Sequence, residues 1–253
     1  MKRLICTAVV IATPALSPAA AQVTSNQIGI GVTVFSQVNG HNKFNEVQGI
    51  NQSSVPSGVV DVTGQQSDAT QAGSASGTAG ITASFAGASS GTLLFGPFFA
   101  TATLLPTASG TAFANTTAGI SYSFTVDTPA SFDLTYSASE VGSLFSYNAL
   151  LQHLDGSFDV LFDLENITQS GSRSAALTPG KYLFNASGNG TAFLDSPGTL
   201  SGTSRGANFS FNIGAASGAV PEPATWGMMI LGFGAMGHAM RRRAKGRTAA
   251  GFA

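Results

Sequence analysis

An all-β passenger, an antiparallel β-sandwich of jelly-roll-like type followed by a single C-terminal transmembrane helix, is predicted by three observations. Apolar and polar residues alternate with period two over several runs from about residue 79 onward. Pro/Gly and Asn/Asp-Gly turn signals punctuate those runs. The longest apolar stretch of the passenger's C-terminal side, Gly227 to Met240, lies beyond them and runs into Arg241-Arg242-Arg243.

The N-terminal end has the three parts of a secretory signal peptide. Met1-Lys2-Arg3 is a positive start, Leu4 to Thr13 an apolar centre, and Ala19-Ala20-Ala21 a small-residue cleavage site. Residues 1–21 are therefore expected to be removed, and the only cysteine, Cys6, goes with them. A passenger without cysteine crosses an oxidising compartment with no disulfide, thiolate metal ligand or thiol nucleophile.

Residues 22–78 are expected to hold one strand and polar, partly flexible loops. Ile28, Ile30, Val32 and Val34 alternate as a strand does, whereas the stretch from Gly64 to Ser74 is too poor in apolar residues to bury a core. Residues 79–214 are expected to form the sandwich. Ile120, Tyr122, Phe124 and Val126 alternate with Ser121, Ser123, Thr125 and Asp127, and Phe132, Leu134 and Tyr136 with Asp133, Thr135 and Ser137. Phe158, Val160, Phe162 and Leu164 oppose Asp159, Leu161, Asp163 and Glu165; Phe209, Phe211 and Ile213 oppose Asn208, Ser210 and Asn212. Turns are expected at Asp155-Gly156, Thr178-Pro179-Gly180, Asn189-Gly190 and Ser196-Pro197-Gly198. Val141 to Leu154 is the one passenger stretch that tolerates a short helix. Residues 215–219 read as a small-residue spacer.

The last segment, residues 220–253, has a motif at 220–226, a membrane helix at 224–240 and a basic tail at 241–247. Pro221 and Pro223 fix φ, lack a backbone donor and disfavour helix in the residues before them, so the Pro221-Glu222-Pro223 element is extended. Trp226 suits the headgroup region, and Arg241, Arg242 and Arg243 mark the cytoplasmic side. The 17 residues from Ala224 to Met240 reach about 25 Å, slightly short of a hydrocarbon core of about 30 Å, a difference that snorkelling arginines cover. Gly232 to Gly237 matches G-x-G-x-x-G, but no strand precedes it and no acidic residue follows at the required distance.

This order of Pro-Glu-Pro, Trp, apolar run and arginine cluster resembles the PEP-CTERM sorting segment of Gram-negative bacterial surface proteins. The resemblance implies recognition by a membrane-embedded exosortase, which cuts the tether. It also implies passage through the inner membrane, a periplasm-facing anchored state, and a final place at the cell surface or outside. The segment also resembles the C-terminal domain of certain ice-binding proteins. About thirty residues carry the resemblance.

Composition narrows the function of the rest. Between Val23 and Ala219 only Lys43, Arg173, Lys181 and Arg205 are basic, against eleven acidic residues, a net charge of −7. Such a passenger is a poor partner for nucleic acid, whose binding depends on Lys and Arg at phosphates. No catalytic constellation is expected. Gly87-Ala88-Ser89-Ser90-Gly91 matches G-x-S-x-G, yet Thr92 to Phe95 reads as strand where that motif needs a helix. His41 and His153, the only passenger histidines, have no metal-spaced partner, and no cofactor is implied. Asp159, Asp163 and Glu165 share a strand face about 7 Å apart, wide for joint Ca²⁺ ligation, and read as a solvated face.

The expected role is a non-enzymatic component of the cell surface or the extracellular polysaccharide matrix. A carbohydrate-binding or adhesive module is the first alternative, for which Tyr136, Tyr147 or Tyr182 exposed as aromatic platforms speak. Ice binding is the second, and it requires a flat, regular array of outward threonines.

Overall fold

The computed structural model describes residues 21–56, 58–139, 141–156, 158–216 and 227–236. Residues 19–216 form one compact unit, and the helix at 227–236 belongs to another. The first unit is built from antiparallel strands in two sheets that share one core.

One sheet has six strands: β1 (Val23–Val38), β2 (His41–Gln52), β7 (Ala112–Val126), β9 (Phe145–His153), β10 (Val160–Leu164) and β12 (Gly180–Leu194). Their order is β10-β9-β12-β7-β1-β2. The other has eight: β3 (Gly58–Thr70), β4 (Gly73–Phe85), β5 (Ser90–Phe95), β6 (Phe98–Leu104), β8 (Ala130–Ser139), β11 (Gly171–Leu177), β13 (Gly198–Ser204) and β14 (Gly206–Ala215). Along one side of β4, β5 pairs with its second half and β6 with its first; β3 covers the other side.

The alternation in the sequence becomes burial directly. In β7, Ile120, Tyr122, Phe124 and Val126 point into the core and are at most 4% exposed. Phe132 and Leu134 of β8, and Phe209, Phe211 and Ile213 of β14, meet them from the opposite sheet. Stacked and tilted rings fill the gap, with Phe124–Phe132 at 6.1 Å, Phe132–Phe184 at 5.2 Å and Phe184–Phe211 at 5.4 Å. Such ring pairs add packing energy beyond the area they remove from water.

Four expectations need correction. The Gly64–Ser74 region is not a loop but the end of β3, a two-residue turn and the start of β4. Its inward positions in β4 are Gly73, Ala75, Gly77 and Ala79, so a buried face is present without large apolar residues. Glycine is needed at 77: a Cβ there would collide with Thr116 of β7 and press on Val34 of β1. Cα atoms of β4 come within 8 Å of β1 and β7, closer than the roughly 10 Å usual between stacked sheets.

Asn189-Gly190 is not a turn but lies within β12. Gly188 and Gly190 face inward, where a Cβ would strike Phe98 and Tyr147 in the first case and Phe145 in the second. These glycines are there to admit rings. Val141–Leu154 contains no helix; Phe145, Tyr147, Ala149 and Leu151 are the inward residues of β9. In the Phe158 to Glu165 run, Phe158 and Val160 are 59% and 55% exposed, and Phe158 has φ 54°. Because β10 is a short edge strand, only Phe162 and Leu164 reach the core.

An unforeseen signal sets the first hairpin. Asn39 and Gly40 have φ 51° and 77°, the two positive values of a type I′ turn, and they join β1 to β2 in the two-residue form favoured by the twist of antiparallel strands.

In the second unit, α1 spans 227–236 and leaves Met228, Ile230, Leu231 and Phe233 each at least 65% exposed. Ten helical residues cover about 15 Å, half a hydrocarbon core. No helix among the described residues is long and apolar enough to cross a membrane. Residues 1–20 of the signal peptide, the sorting residues Pro221, Glu222, Pro223 and Trp226, and Arg241, Arg242 and Arg243 lie outside the described residues.

Candidate functional site

The outer faces of the two sheets differ in kind. On the six-stranded sheet, the outward residues of β9, β12, β7, β1 and β2 line up in register. One row runs Asn148, Ser187, Gly119, Gly31, Gln48; the next runs Leu150, Asn185, Ser121, Gly29, Asn51. Two depressions lie along these rows. The larger, about 470 Å³, is lined by Ser146, Asn148, Asn185 and Ser187, with Asp163 and Glu165 from the β10 edge. The smaller, about 350 Å³, is lined by Gln27, Gly29, Gly31, Glu46, Gln48, Asn51, Ser121 and Ser123. Both are open and shallow, and their walls mix side-chain amides and hydroxyls with the aliphatic side chains of Leu150, Ile50 and Leu183.

Beyond these rows on the same face stands a ridge of phenylalanines. Phe35 pairs with Phe44 and Phe113 with Phe193 across strands, and the rings of Phe35, Phe113 and Phe193 follow one another at 5.7 and 6.3 Å. Phe44 is 60% and Phe193 51% exposed. The tyrosines expected as platforms are elsewhere. Tyr147 and Tyr182 are core residues, and Tyr136 is half-buried against Phe209. Burial raises the Tyr147 hydroxyl above its ordinary pKa, although the hydroxyl is bonded to Ser204 at 2.8 Å. Burial likewise pushes Tyr122, which donates to the Ala88 carbonyl at 2.6 Å, up to about 12.

The eight-stranded sheet presents hydroxyls instead. Thr199, Thr103 and Ser74 form one row, and Ser201, Thr101, Ser76 and Ser67 the next. Rows are about 7 Å apart along the strands and neighbours about 4.8 Å apart across them. The following row, Thr203, Phe99, Thr78, Gln65, is broken by an aromatic ring and an amide.

Where the sheets meet, at the β2–β3 edge, side chains close the seam. His41 Nδ1 lies 2.9 Å and Lys43 Nζ 3.4 Å from the Asp68 carboxylate, whose side chain is fully buried. Asn45 donates to the Gln65 carbonyl and Lys43 to that of Ser67. Burial works against the Asp68 charge, yet the hydrogen bonds and charges of His41 and Lys43 outweigh it and hold the carboxyl below its ordinary range. Amide and ammonium groups thereby occupy edge carbonyls that another strand would otherwise seek.

The Asp68 partner of His41 was not foreseen from the sequence. His153 stacks on Tyr182 at 4.7 Å. Asp155 accepts the Lys181 backbone N–H at 2.7 Å, and Asp163 and Glu165 lie on the solvated face. Among the described residues, no group of three or more His, Asp, Glu or Cys is placed to hold a metal ion. Gly87 to Gly91 forms the β4–β5 turn and the start of β5, with Ala86 N–H bonded to Ser90 O at 3.1 Å, so no helix follows Ser89.

Residues 219–244 match the PEP-CTERM protein-sorting motif. No curated protein matches the chain. Among solved structures, a GH31 alpha-xylosidase from Xanthomonas citri aligns at 10% identity and TM-score 0.20, covering 81% of this chain and 34% of that one. Infectious bursal disease virus Gt strain aligns at 11% identity and TM-score 0.20, covering 78% of this chain and 59% of that one. The chain thus spans about a third of the first and less than two thirds of the second. At that score neither likeness carries fold or function.

Proposed function

From a chain that carries a PEP-CTERM protein-sorting motif at residues 219–244, we propose the following course of events. The protein is exported, held in the inner membrane by its apolar segment at residues 224–240, and processed by an exosortase at the Pro221-Glu222-Pro223 element. The arginines at 241–243 stop transfer, Trp226 seats the outer end of the span, and the passenger is released to the cell surface or the surrounding polysaccharide. The matched motif is the observation that carries this reading. An α1 that is apolar on all sides is consistent with it, because a helix of that kind needs lipid or protein around it.

In this reading the passenger does no chemistry of its own. Its jelly-roll-like passage of strands between two sheets gives a stable body without disulfides, and its acidic, amide-rich surface interacts by hydrogen bonding. Mass spectrometry of the surface form is the test. Loss of the tail is the expected result, and persistence of residues through Ala253 in exosortase-containing cells overturns the sorting role.

A carbohydrate-binding passenger is the second reading, favoured by the depressions on the six-stranded sheet, whose lining combines amides and hydroxyls with aliphatic side chains. Ice binding ranks below it. The hydroxyl rows of the other sheet are regular, but Phe99 and Gln65 interrupt them, and a sheet normally twists by about 20–25° per strand, which spoils a plane.

A further inference from the structure

The two depressions on the six-stranded sheet adjoin. Asn185, which lines the larger, is the registered neighbour of Ser121, which lines the smaller; Ser187 is likewise the neighbour of Gly119, which pairs onward with Gly31. Their lining together spans the four strand steps from β9 to β2, about 19 Å perpendicular to the strands. We propose that the two act as one shallow channel, a binding track for one extended strand of an uncharged polysaccharide. The proposal rests on the carbohydrate-binding reading and gives that reading its location and ligand class.

Three properties argue for this occupant. The walls carry amides and hydroxyls, Asn148, Asn185, Gln27, Gln48, Asn51 and Ser121, set among aliphatic side chains. An amide both donates and accepts, which matches a sugar hydroxyl that does both. Charge excludes the competing classes, since Asp163, Glu165 and Glu46 are the only charged lining residues and all are acidic. A uronate chain or a nucleic acid would meet repulsion there.

The floor supplies the third. Gly29 lies mid-strand with no positive φ, and a Cβ placed on it would meet nothing within 4 Å. Gly77, Gly188 and Gly190 are required by their neighbours in the core; Gly29 is not. Glycine inside a strand lowers stability, and one that internal packing does not need accompanies either a bulge, such as the one at Ile30–Gly31, or a place that another molecule approaches closely.

The test uses the full-length chain in detergent and titrates it with a neutral β-glucan, a galactomannan and polygalacturonate, following binding by calorimetry. Gly29→Phe fills the channel from a position where the fold has room, Asn185→Ala removes a wall amide, and Ser201→Phe adds equal bulk on the opposite sheet. A neutral glycan is expected to bind, with affinity reduced about tenfold or more by Gly29→Phe and Asn185→Ala and unchanged by Ser201→Phe, all at an undiminished melting temperature. Should Gly29→Phe lower the melting temperature, Asn185→Ala alone decides. Binding that survives both channel variants overturns the location while leaving the carbohydrate reading intact. Preference for polygalacturonate overturns the ligand class, and no binding to either neutral glycan overturns the inference together with that reading.

Discussion

His41 Nδ1 lies 2.9 Å from the buried carboxylate of Asp68, and this contact joins the edge strands of the two sheets. Asp68 is held ionised against its burial by His41 and Lys43, so its folded pKa lies below the unfolded value of about 3.9. A depressed carboxyl contributes stability that is complete above the unfolded pKa and is lost as pH falls through the folded one. Urea midpoints are therefore expected to drop as pH is lowered below about 4. Asp68→Asn should lower the midpoint at neutral pH and flatten that acid limb. Parallel acid limbs in the two proteins would show that the contact contributes nothing.

Glycines of the six-stranded sheet divide into two kinds, and paired substitutions separate them. Gly190→Val drives a side chain into Phe145 and is expected to cost about 1–3 kcal/mol or more by overpacking. Gly29→Val enters open space and gains strand propensity, so it should leave stability unchanged or raise it by up to about 1 kcal/mol. Denaturant midpoints at constant slope decide the matter, and equal losses would refute the distinction.

This division also marks where the sequence was readable. Alternation of large apolar and polar residues located β7, β8 and β14 and their inward faces, because Tyr122, Phe132 and Phe211 each declare a side. In β4 the same alternation is written as Gly and Ala against Ser and Thr, and counting apolar residues misses it. Asn189-Gly190 has the composition of a turn, but its glycine answers to Phe145, a partner distant in sequence. The Asp68 cluster and the two adjoining depressions were hidden for a related reason: both arise from cross-strand register, which one strand's sequence does not contain. The sorting tail was legible as a linear motif.

Two buried phenols predict alkaline behaviour. Burial lifts Tyr122 to about 12 and raises Tyr147, so the unfolded chain loses these protons first as pH rises past about 10. Stability should therefore decline above that pH, and the last tyrosinate absorbance should appear together with unfolding. Tyr147→Phe removes the 2.8 Å bond to Ser204 and is expected to cost about 1 kcal/mol at neutral pH. A phenol that titrates freely in the folded protein would contradict this.

Thermal hysteresis checks the hydroxyl face. Only two unbroken rows, those of Thr103 and Thr101, precede the Phe99 interruption, and strand twist turns them out of one plane. No hysteresis gap is expected from the full-length protein. A gap that Thr101→Leu abolishes would instead establish the ice-binding alternative.

Charge at the end of the tail predicts the outcome of sorting. If Arg241, Arg242 and Arg243 hold the C-terminus on the cytoplasmic side, replacing all three with Glu removes the local excess of positive charge that sets orientation. The apolar run of α1 is untouched by this change, so any loss of retention is attributable to charge and not to hydrophobic length. The variant is expected to slip through the membrane or insert without orientation, and to reach the medium with residues 220–253 still attached. Fractionation combined with intact-mass measurement reads both events. Normal removal of the tail in the triple variant would show that the arginines are dispensable for exosortase processing.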